Sequence, residues 1–175
     1  LIWNREWCNP CKDTFSMKPL LNLFYKYKHQ EKPDLIIDPF SKECRLATIT
    51  NDLNPDYNCD HSLDALEFLK MFDSNSVDMI LLDPPYSPRQ VKEIYTKLEL
   101  TVTWEHTQYT FWKRVKDEIT RILKTGGIVI TCGWNSNGIG KKNGFAIIEG
   151  MNIAHGGGHN DTIITVERKI QGNLF

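Results

Sequence analysis

Two acceptor groups and an aromatic ring come together in Asp83-Pro84-Pro85-Tyr86, the run of this sequence whose residue types could do chemistry. Each proline fixes its own φ and pushes the residue before it towards extended geometry. The Asp83 carboxylate and the Pro84 carbonyl are therefore held in nearly fixed directions. Such a pair suits a planar substrate that carries an amino group: the two acceptors take its two N–H donors, and the Tyr86 ring stacks on its face. A nucleobase with an exocyclic amine fits that description. Asp-Pro-Pro also occurs as an ordinary strand-ending turn, so the rest of the chain has to decide between the two.

The elements around this run must place it at an edge where ligands bind. Residues 77–82 are an apolar run between turn formers, the pattern of a buried parallel strand, which puts Asp83 at the strand's carboxyl end. In open α/β sheets that end is the ligand edge. Residues 34–40 read as a second buried strand ending in Asp38-Pro39, and residues 47–52 as a third that ends on Asp52. An acid there takes ribose hydroxyls by charge-assisted hydrogen bonds, with Leu53 beside it. Residues 39–46 leave little room for a crossover helix, so a stub is expected. Residues 57–61 are expected as a short strand and 62–72 as an amphipathic helix.

Upstream, residues 1–11 lack periodicity and read as an irregular arm, followed by a helix over about 17–28 with a Ser16 cap and Pro19 in its first turn. Downstream, a helix runs to about Leu98, residues 101–104 are β-branched and aromatic, and 108–124 form a long amphipathic helix stopped by Gly126-Gly127 at the C′ position. Residues 128–132 are another buried strand, with Trp134 and Asn135 in the loop after it. Residues 145–153 and 161–169 close the chain as a hairpin around His155-Gly156-Gly157-Gly158-His159-Asn160.

A length of 175 residues sets one domain as the default, and 41% hydrophobic with 25% charged residues is ordinary globular composition. No apolar run approaches the roughly 18 residues of a membrane span, and the first residues lack the apolar core of a signal peptide. An intracellular, cytoplasmic protein is expected. Five scattered cysteines argue against a disulfide framework. Cys8-x-x-Cys11 with His155 and His159 makes a zinc site arithmetically possible; free thiols and a glycine turn are the alternative, and no metal is expected. The net charge of −1 splits unevenly: residues 1–87 carry 9 Lys/Arg against 14 Asp/Glu (−5), and residues 88–175 carry 12 against 8 (+4). That asymmetry suits an acidic cofactor side and a basic side facing a nucleic-acid backbone.

Asp83-Pro84-Pro85-Tyr86 after a strand resembles the hallmark of the S-adenosylmethionine-dependent amino-methyltransferases, which methylate the exocyclic amine of adenine or cytosine. The resemblance extends along the chain in family order, from the arm and helix through Asp38-Pro39-Phe40, Asp52, Asp64-Ala65 and Thr125-Gly126-Gly127 to the final hairpin. The strings Lys12-Asp13-Thr14-Phe15-Ser16, Asp83 to Gln90, Gly133 to Gly138 and His155 to Asp161 look like the small phage-type adenine enzymes. The family implies a Rossmann-like α/β fold, a mostly parallel seven-stranded sheet with a terminal antiparallel hairpin and helices on both faces. It implies S-adenosyl-L-methionine as cofactor, held by Asp13, Thr14 and Phe15, by Asp38, Pro39 and Phe40, by Asp52 and Leu53, and by the adenine-reading pair Asp64 and Ala65. Phe15 would offer its ring to the sulfonium, or pack as a staple on the start of the helix. Family members usually continue after the Asp-Pro-Phe with glycines; Ser41-Lys42-Glu43-Cys44-Arg45 contains none, so an unusual cofactor pocket is expected.

The implied reaction is methyl transfer to the N6 amine of a flipped-out adenine in double-stranded DNA, with N4-cytosine methylation, RNA adenine methylation and an inactive binding subunit as alternatives. The implied catalytic set is Asp83, Pro84, Pro85 and Tyr86. These 175 residues leave almost no room for a separate target-recognition domain, with 87–107 as the candidate insert, so short or relaxed specificity, or recognition shared across a homo-oligomer, is expected. Arg89, Lys92, Lys97, Lys113, Arg114, Lys141 and Lys142 are candidate phosphate contacts, and Trp134 and Asn135 candidate base contacts.

Overall fold

Covered on both sides, the strand that ends at Asp83 lies inside the sheet, as its nearly uninterrupted apolar sequence requires. The computed structural model describes residues 1–85, 87–99 and 109–170. Its strands are β1 (Ile2–Trp7), β2 (Ile36–Asp38), β3 (Ile49–Thr50), β4 (Val77–Leu82), β5 (Leu123–Gly133), β6 (Phe145–Ala154) and β7 (Thr162–Lys169). They form one seven-stranded sheet in the order β1-β6-β7-β5-β4-β2-β3. β3, β2, β4 and β5 are mutually parallel, β7 runs antiparallel between β5 and β6, and β1 pairs parallel with β6.

Each face of the sheet has its own apolar core. On one, α1 (Lys18–Glu31) sets Leu20, Leu23, Phe24 and Tyr27 against Ile36, Met79, Leu81, Ile130 and Val166. On the other, α2 (Ala65–Lys70) and α4 (Tyr109–Ile122) bring Leu66, Phe68, Leu69, Val115 and Ile119 onto Ile37, Ile80, Leu82 and Val129. Alternation along a strand would put Val77 and Met79 on the same face. They lie on opposite faces because the register shifts between them. The N–H groups of Asp78 and Met79 both donate to the Leu35 carbonyl, at 3.1 and 3.2 Å, while the Leu35 N–H donates to Asp78 Oδ2 at 2.9 Å.

Several local expectations change. The arm at 1–11 contains an edge strand, β1, whose mostly exposed residues gave no alternating pattern to read. Trp3 lies across Gly150 of β6, where an added Cβ would meet its ring at 2.1 Å. Ser16 does not cap α1: Met17 is the N-cap, and the Ser16 hydroxyl donates to the Asp13 carbonyl within the preceding 3-10 turn, at 2.7 Å. The crossover at 39–46 has no helix at all. Residues 57–61 form no strand; a 3-10 turn at Pro55–Tyr57 leads to an isolated parallel bridge between Asn51 and His61.

Gly126 and Gly127 do not end α4; they lie within β5, beside the shift in β4. An added Cβ at Gly127 would sit 2.9 Å from the Asp78 carbonyl, so the two strands meet only because that position is glycine. The end of α4 is instead satisfied by Lys169 of β7, fully buried, whose ammonium donates to the Thr120 and Leu123 carbonyls at 2.6 and 2.7 Å. The expectation for 101–104 falls outside the described residues. Among the described residues, no helix is long and apolar enough to cross a membrane.

Candidate active site at the carboxyl edge of the sheet

Where β4 runs out, Asp83 turns into the edge as a nearly buried carboxylate, 6% exposed. One of its oxygens, Oδ2, accepts from the Thr14 hydroxyl at 2.7 Å and from the Lys42 ammonium at 3.1 Å. Thr14 belongs to the 3-10 turn that leads into α1, so the packing of α1 on the sheet fixes its hydroxyl. Lys42 belongs to the helix-free crossover after β2. Its backbone takes φ +50°, the left-handed region that glycine fills more easily.

The same crossover fixes Asp52. Its Oδ2 accepts from the Lys42 N–H at 3.1 Å and its Oδ1 from the Asn54 N–H at 2.9 Å. Asp64 caps α2 by accepting from the Leu66 N–H at 2.9 Å, and its other oxygen accepts from the Tyr95 hydroxyl at 3.0 Å. Tyr95 comes from α3 (Pro88–Lys97), itself capped by Ser87. Asp38, 1% exposed, takes the Phe40 N–H on Oδ1 at 2.9 Å, while its Oδ2 has no hydrogen-bond partner. A cavity of about 400 Å3 opens between these residues, α3 and the start of α4.

Of the residues named from the sequence, Thr14, Pro39, Phe40, Asp52, Leu53, Asp64, Ala65, Asp83, Pro84 and Pro85 line this cavity. Phe15 does not: it is buried in the core beneath α1, which leaves no ring surface for a sulfonium. Asp13 and Asp38 stand behind the wall and act through their charge, not by lining it. Tyr86 lies outside the described residues. Lys42, Ile94, Tyr95, Phe111 and Trp112 line the cavity without having been singled out. The hydrophobic spacing of 111–122 marks Phe111 and Trp112 as apolar but does not tell core from pocket wall.

Burial raises the carboxyl pKa of Asp13, Asp38 and Asp52 above the usual range, and neighbouring carboxylates, Asp83 among them, add to the effect at Asp13 and Asp38. Burial alone would lower Lys42, but attraction by Asp83, Asp52 and Asp13 outweighs it and holds the ammonium above its ordinary value.

The candidate nucleic-acid contacts are dispersed. Arg89 and Lys113 are exposed, pairing with Glu93 and Asp117 one helical turn away. Lys92 is exposed on α3, Arg114 on α4, and Lys97 lines the cavity. Lys141 and Lys142 sit just before β6, whose first residue pairs with the last of β7. That places them at the opposite edge of the sheet from Asp83, since a loop crosses back after β5. Asn135 accepts from the Asn137 N–H at 3.0 Å and so shapes its own turn. Trp134 lines a second cleft with His155, His159 and Asn160, next to Cys11 and Thr14. His155 is committed to the Cys8 carbonyl at 2.8 Å and the Thr162 hydroxyl at 2.7 Å, and among the described residues no cluster suited to a metal forms.

No protein-family model and no curated protein matches the sequence. Solved structures do match. The 1,6-didemethyltoxoflavin-N1-methyltransferase of Burkholderia thailandensis, with bound 1,6-didemethyltoxoflavin and S-adenosylhomocysteine, superposes with a TM-score of 0.57 at 9% identity, over 88% of this chain and 78% of that one. The N-methyltransferase NodS of Bradyrhizobium japonicum gives 0.55 at 10% identity, over 86% and 94%. TrmN of Thermus thermophilus gives 0.52 at 16% identity, over 88% of this chain, which spans about half of TrmN (49%). The sheet order, the one antiparallel strand and these superpositions together establish that the chain has the Rossmann-like methyltransferase fold.

Proposed function

We propose that the protein transfers the methyl group of S-adenosylmethionine to the N6 amine of an adenine flipped out of DNA. The observation that carries this reading is the placement of Asp83 and Pro84 in the same cavity as Asp52 and Asp64, at the ligand edge of a methyltransferase fold. The residues present suit such a cofactor. Asp13, Asp52 and Asp83 converge on the Lys42 ammonium, and Asp38, which feels the charge of these three carboxylates, keeps one buried oxygen without a hydrogen-bond partner among the described residues. Such a set favours a ligand that brings positive charge.

Asp52, fixed by two backbone N–H groups, is oriented for the ribose hydroxyls, and Asp64 with Ala65 for the adenine end. When bound, the cofactor supplies an electrophilic methyl group on a sulfonium. Asp83 and the Pro84 carbonyl accept the two N–H groups of the target amine, which favours a pyramidal nitrogen and aims its lone pair. Tyr86 stacks on the base, which must leave the duplex to reach this loop. A DNA substrate carries with it a cytoplasmic setting.

Incubation with duplex DNA and S-adenosylmethionine, followed by mass spectrometry of the nucleosides, should reveal 6-methyladenine. Finding 4-methylcytosine alone, or methylation of RNA alone, would refute the choice of substrate. Calorimetry tests the cofactor: no heat of binding at millimolar S-adenosylmethionine would point to an inactive binding subunit. Asp83→Ala should abolish transfer while leaving cofactor binding largely intact, and unchanged turnover would remove this loop from the mechanism.

A further inference from the structure

We infer that the second cleft, across a divide formed by residues 10–14, takes the nucleotide next to the target base, so that His159 and Asn160 set the sequence context in which the adenine is methylated. The inference rests on the functional reading above for its substrate, and on the continuity of the two cavities for its geometry. Cys11 and Thr14 line both, while Lys12 lines the first and Pro10 the second, so one short segment separates them. That segment is registered on the reaction centre, because the Thr14 hydroxyl donates to Asp83 Oδ2 at 2.7 Å. A base seated at Asp83 therefore leaves its neighbour in the strand beside the second cleft. This cleft encloses about 350 Å3, a volume at the lower end of small-ligand sites.

The walls of the cleft suit one base. His155 donates from Nδ1 to the Cys8 carbonyl at 2.8 Å and meets the Thr162 hydroxyl through Nε2 at 2.7 Å, which ties the arm to the closing hairpin and makes that wall rigid. Pro10, Met17 and Trp134 add apolar surface against which a base packs. His159 and Asn160 are exposed to the same space, and neither side chain is committed to a partner among the described residues. An amide carries both donors and an acceptor, and an imidazole adds a ring N–H, the kinds of group that read base edges. The turn that delivers these two residues runs through Gly156, Gly157 and Gly158 at positive φ, where side chains would be strained. Lys12, exposed on the divide and without an ion-pair partner among the described residues, stands where the phosphate joining the two nucleotides crosses.

The test uses duplexes that share a central A·T pair and span all base pairs at the flanking positions. Affinity is read by fluorescence anisotropy and methylation by mass spectrometry of the nucleosides, for the wild type and for His159→Ala, Asn160→Ala and Lys12→Ala. The wild type should prefer particular bases on one side of the adenine. H159A and N160A should each reduce that preference about tenfold, the size of one lost base contact, and leave the other side unchanged. K12A should weaken binding to all duplexes alike and lower the slope of log affinity against log salt by about 0.9, the value for one phosphate. A wild type without neighbour preference, or a preference that is the same in H159A and N160A or reduced equally on both sides, would overturn the inference even with methylation intact. An unchanged salt slope in K12A would take the strand off the divide and overturn it as well. A one-sided preference in binding that follows residues 159 and 160, without any methyl transfer, would sink the functional reading alone.

Discussion

Asp83 depends on its neighbours as much as on its own chemistry, and Thr14 is the neighbour with the shorter contact. A hydrogen bond to a charged group contributes about 1.5–3 kcal/mol, roughly one to two decades in rate if it is used in the transition state. Thr14→Val should therefore lower kcat about ten- to a hundredfold with little change in cofactor affinity, and Thr14→Ser should restore most of it. Equal kinetics in T14V and wild type would show that the hydroxyl only packs. Much of this constellation is legible in the sequence because its members lie at strand ends: Asp38 and Asp83 close apolar runs, Asp52 follows the short β-branched β3, and strand ends converge at one edge. Lys42 was not legible. Its role comes from a left-handed turn in a segment with neither period nor glycine, and no local pattern reports which carboxylate a four-carbon side chain reaches. Phe15 reads two ways for the opposite reason, since an aromatic beside a ligand loop looks the same whether its ring faces the ligand or the core, and here it takes the core.

At the scale of elements, the apolar periods of β4, α1, α4 and the closing hairpin place the layers, because each buries a face. What the periods do not show is how elements end. Gly126-Gly127 reads as a helix stop, but the requirement for glycine comes from β4, whose register shift brings the Asp78 carbonyl against Gly127. Gly127→Ala should cost about 1–3 kcal/mol, the usual penalty for overpacking, read as a lower urea midpoint. The α4 end is finished by a lysine 46 positions away in sequence from Leu123. Lys169→Met keeps the stem's volume and removes the donors to two carbonyls. The expected loss of about 2–3 kcal/mol, close to that of one charged hydrogen bond, would distinguish this cap from simple apolar filling, which Met would satisfy at no loss. β1 escaped notice because an edge strand with exposed side chains carries no alternation; its register is set by β6.

Over the whole molecule, the division into an acidic first half and a basic second half does not become two opposed faces. Lys141 and Lys142 lie across the sheet from Asp83, and Arg89 and Lys113 are paired with acids on their own helices. The charge feature that survives folding is the acidic edge, and it has a consequence for stability. Asp13, Asp38, Asp52 and, within the sheet, Glu167 are all raised above the ordinary carboxylate range, each first by burial. A carboxyl whose pKa is raised on folding binds more protons in the native than in the unfolded chain between the two values, so stability falls as pH climbs through that interval. For these groups the interval opens near pH ~4 and extends upward. Glu31 and Asp60 are lowered, by Arg168 and by Thr50, and Asp78 is lowered by Lys124 and the Leu35 N–H despite its burial. Their contribution is complete above about pH 4 and lost only as pH falls through their lowered values. The cofactor-free protein should therefore be most stable in mildly acidic solution and lose stability towards neutrality, measured as urea midpoints from about pH 5 to 8. Asp38→Asn, which removes one of the fully buried charges among these, should flatten that decline. S-adenosylmethionine, by bringing positive charge to the same carboxylates, should raise the midpoint more at the upper end of the range than at the lower. A cofactor-free midpoint that rose steadily across the range would mean that the buried acids are solvated in solution, and the electrostatic account of this edge would fail with them.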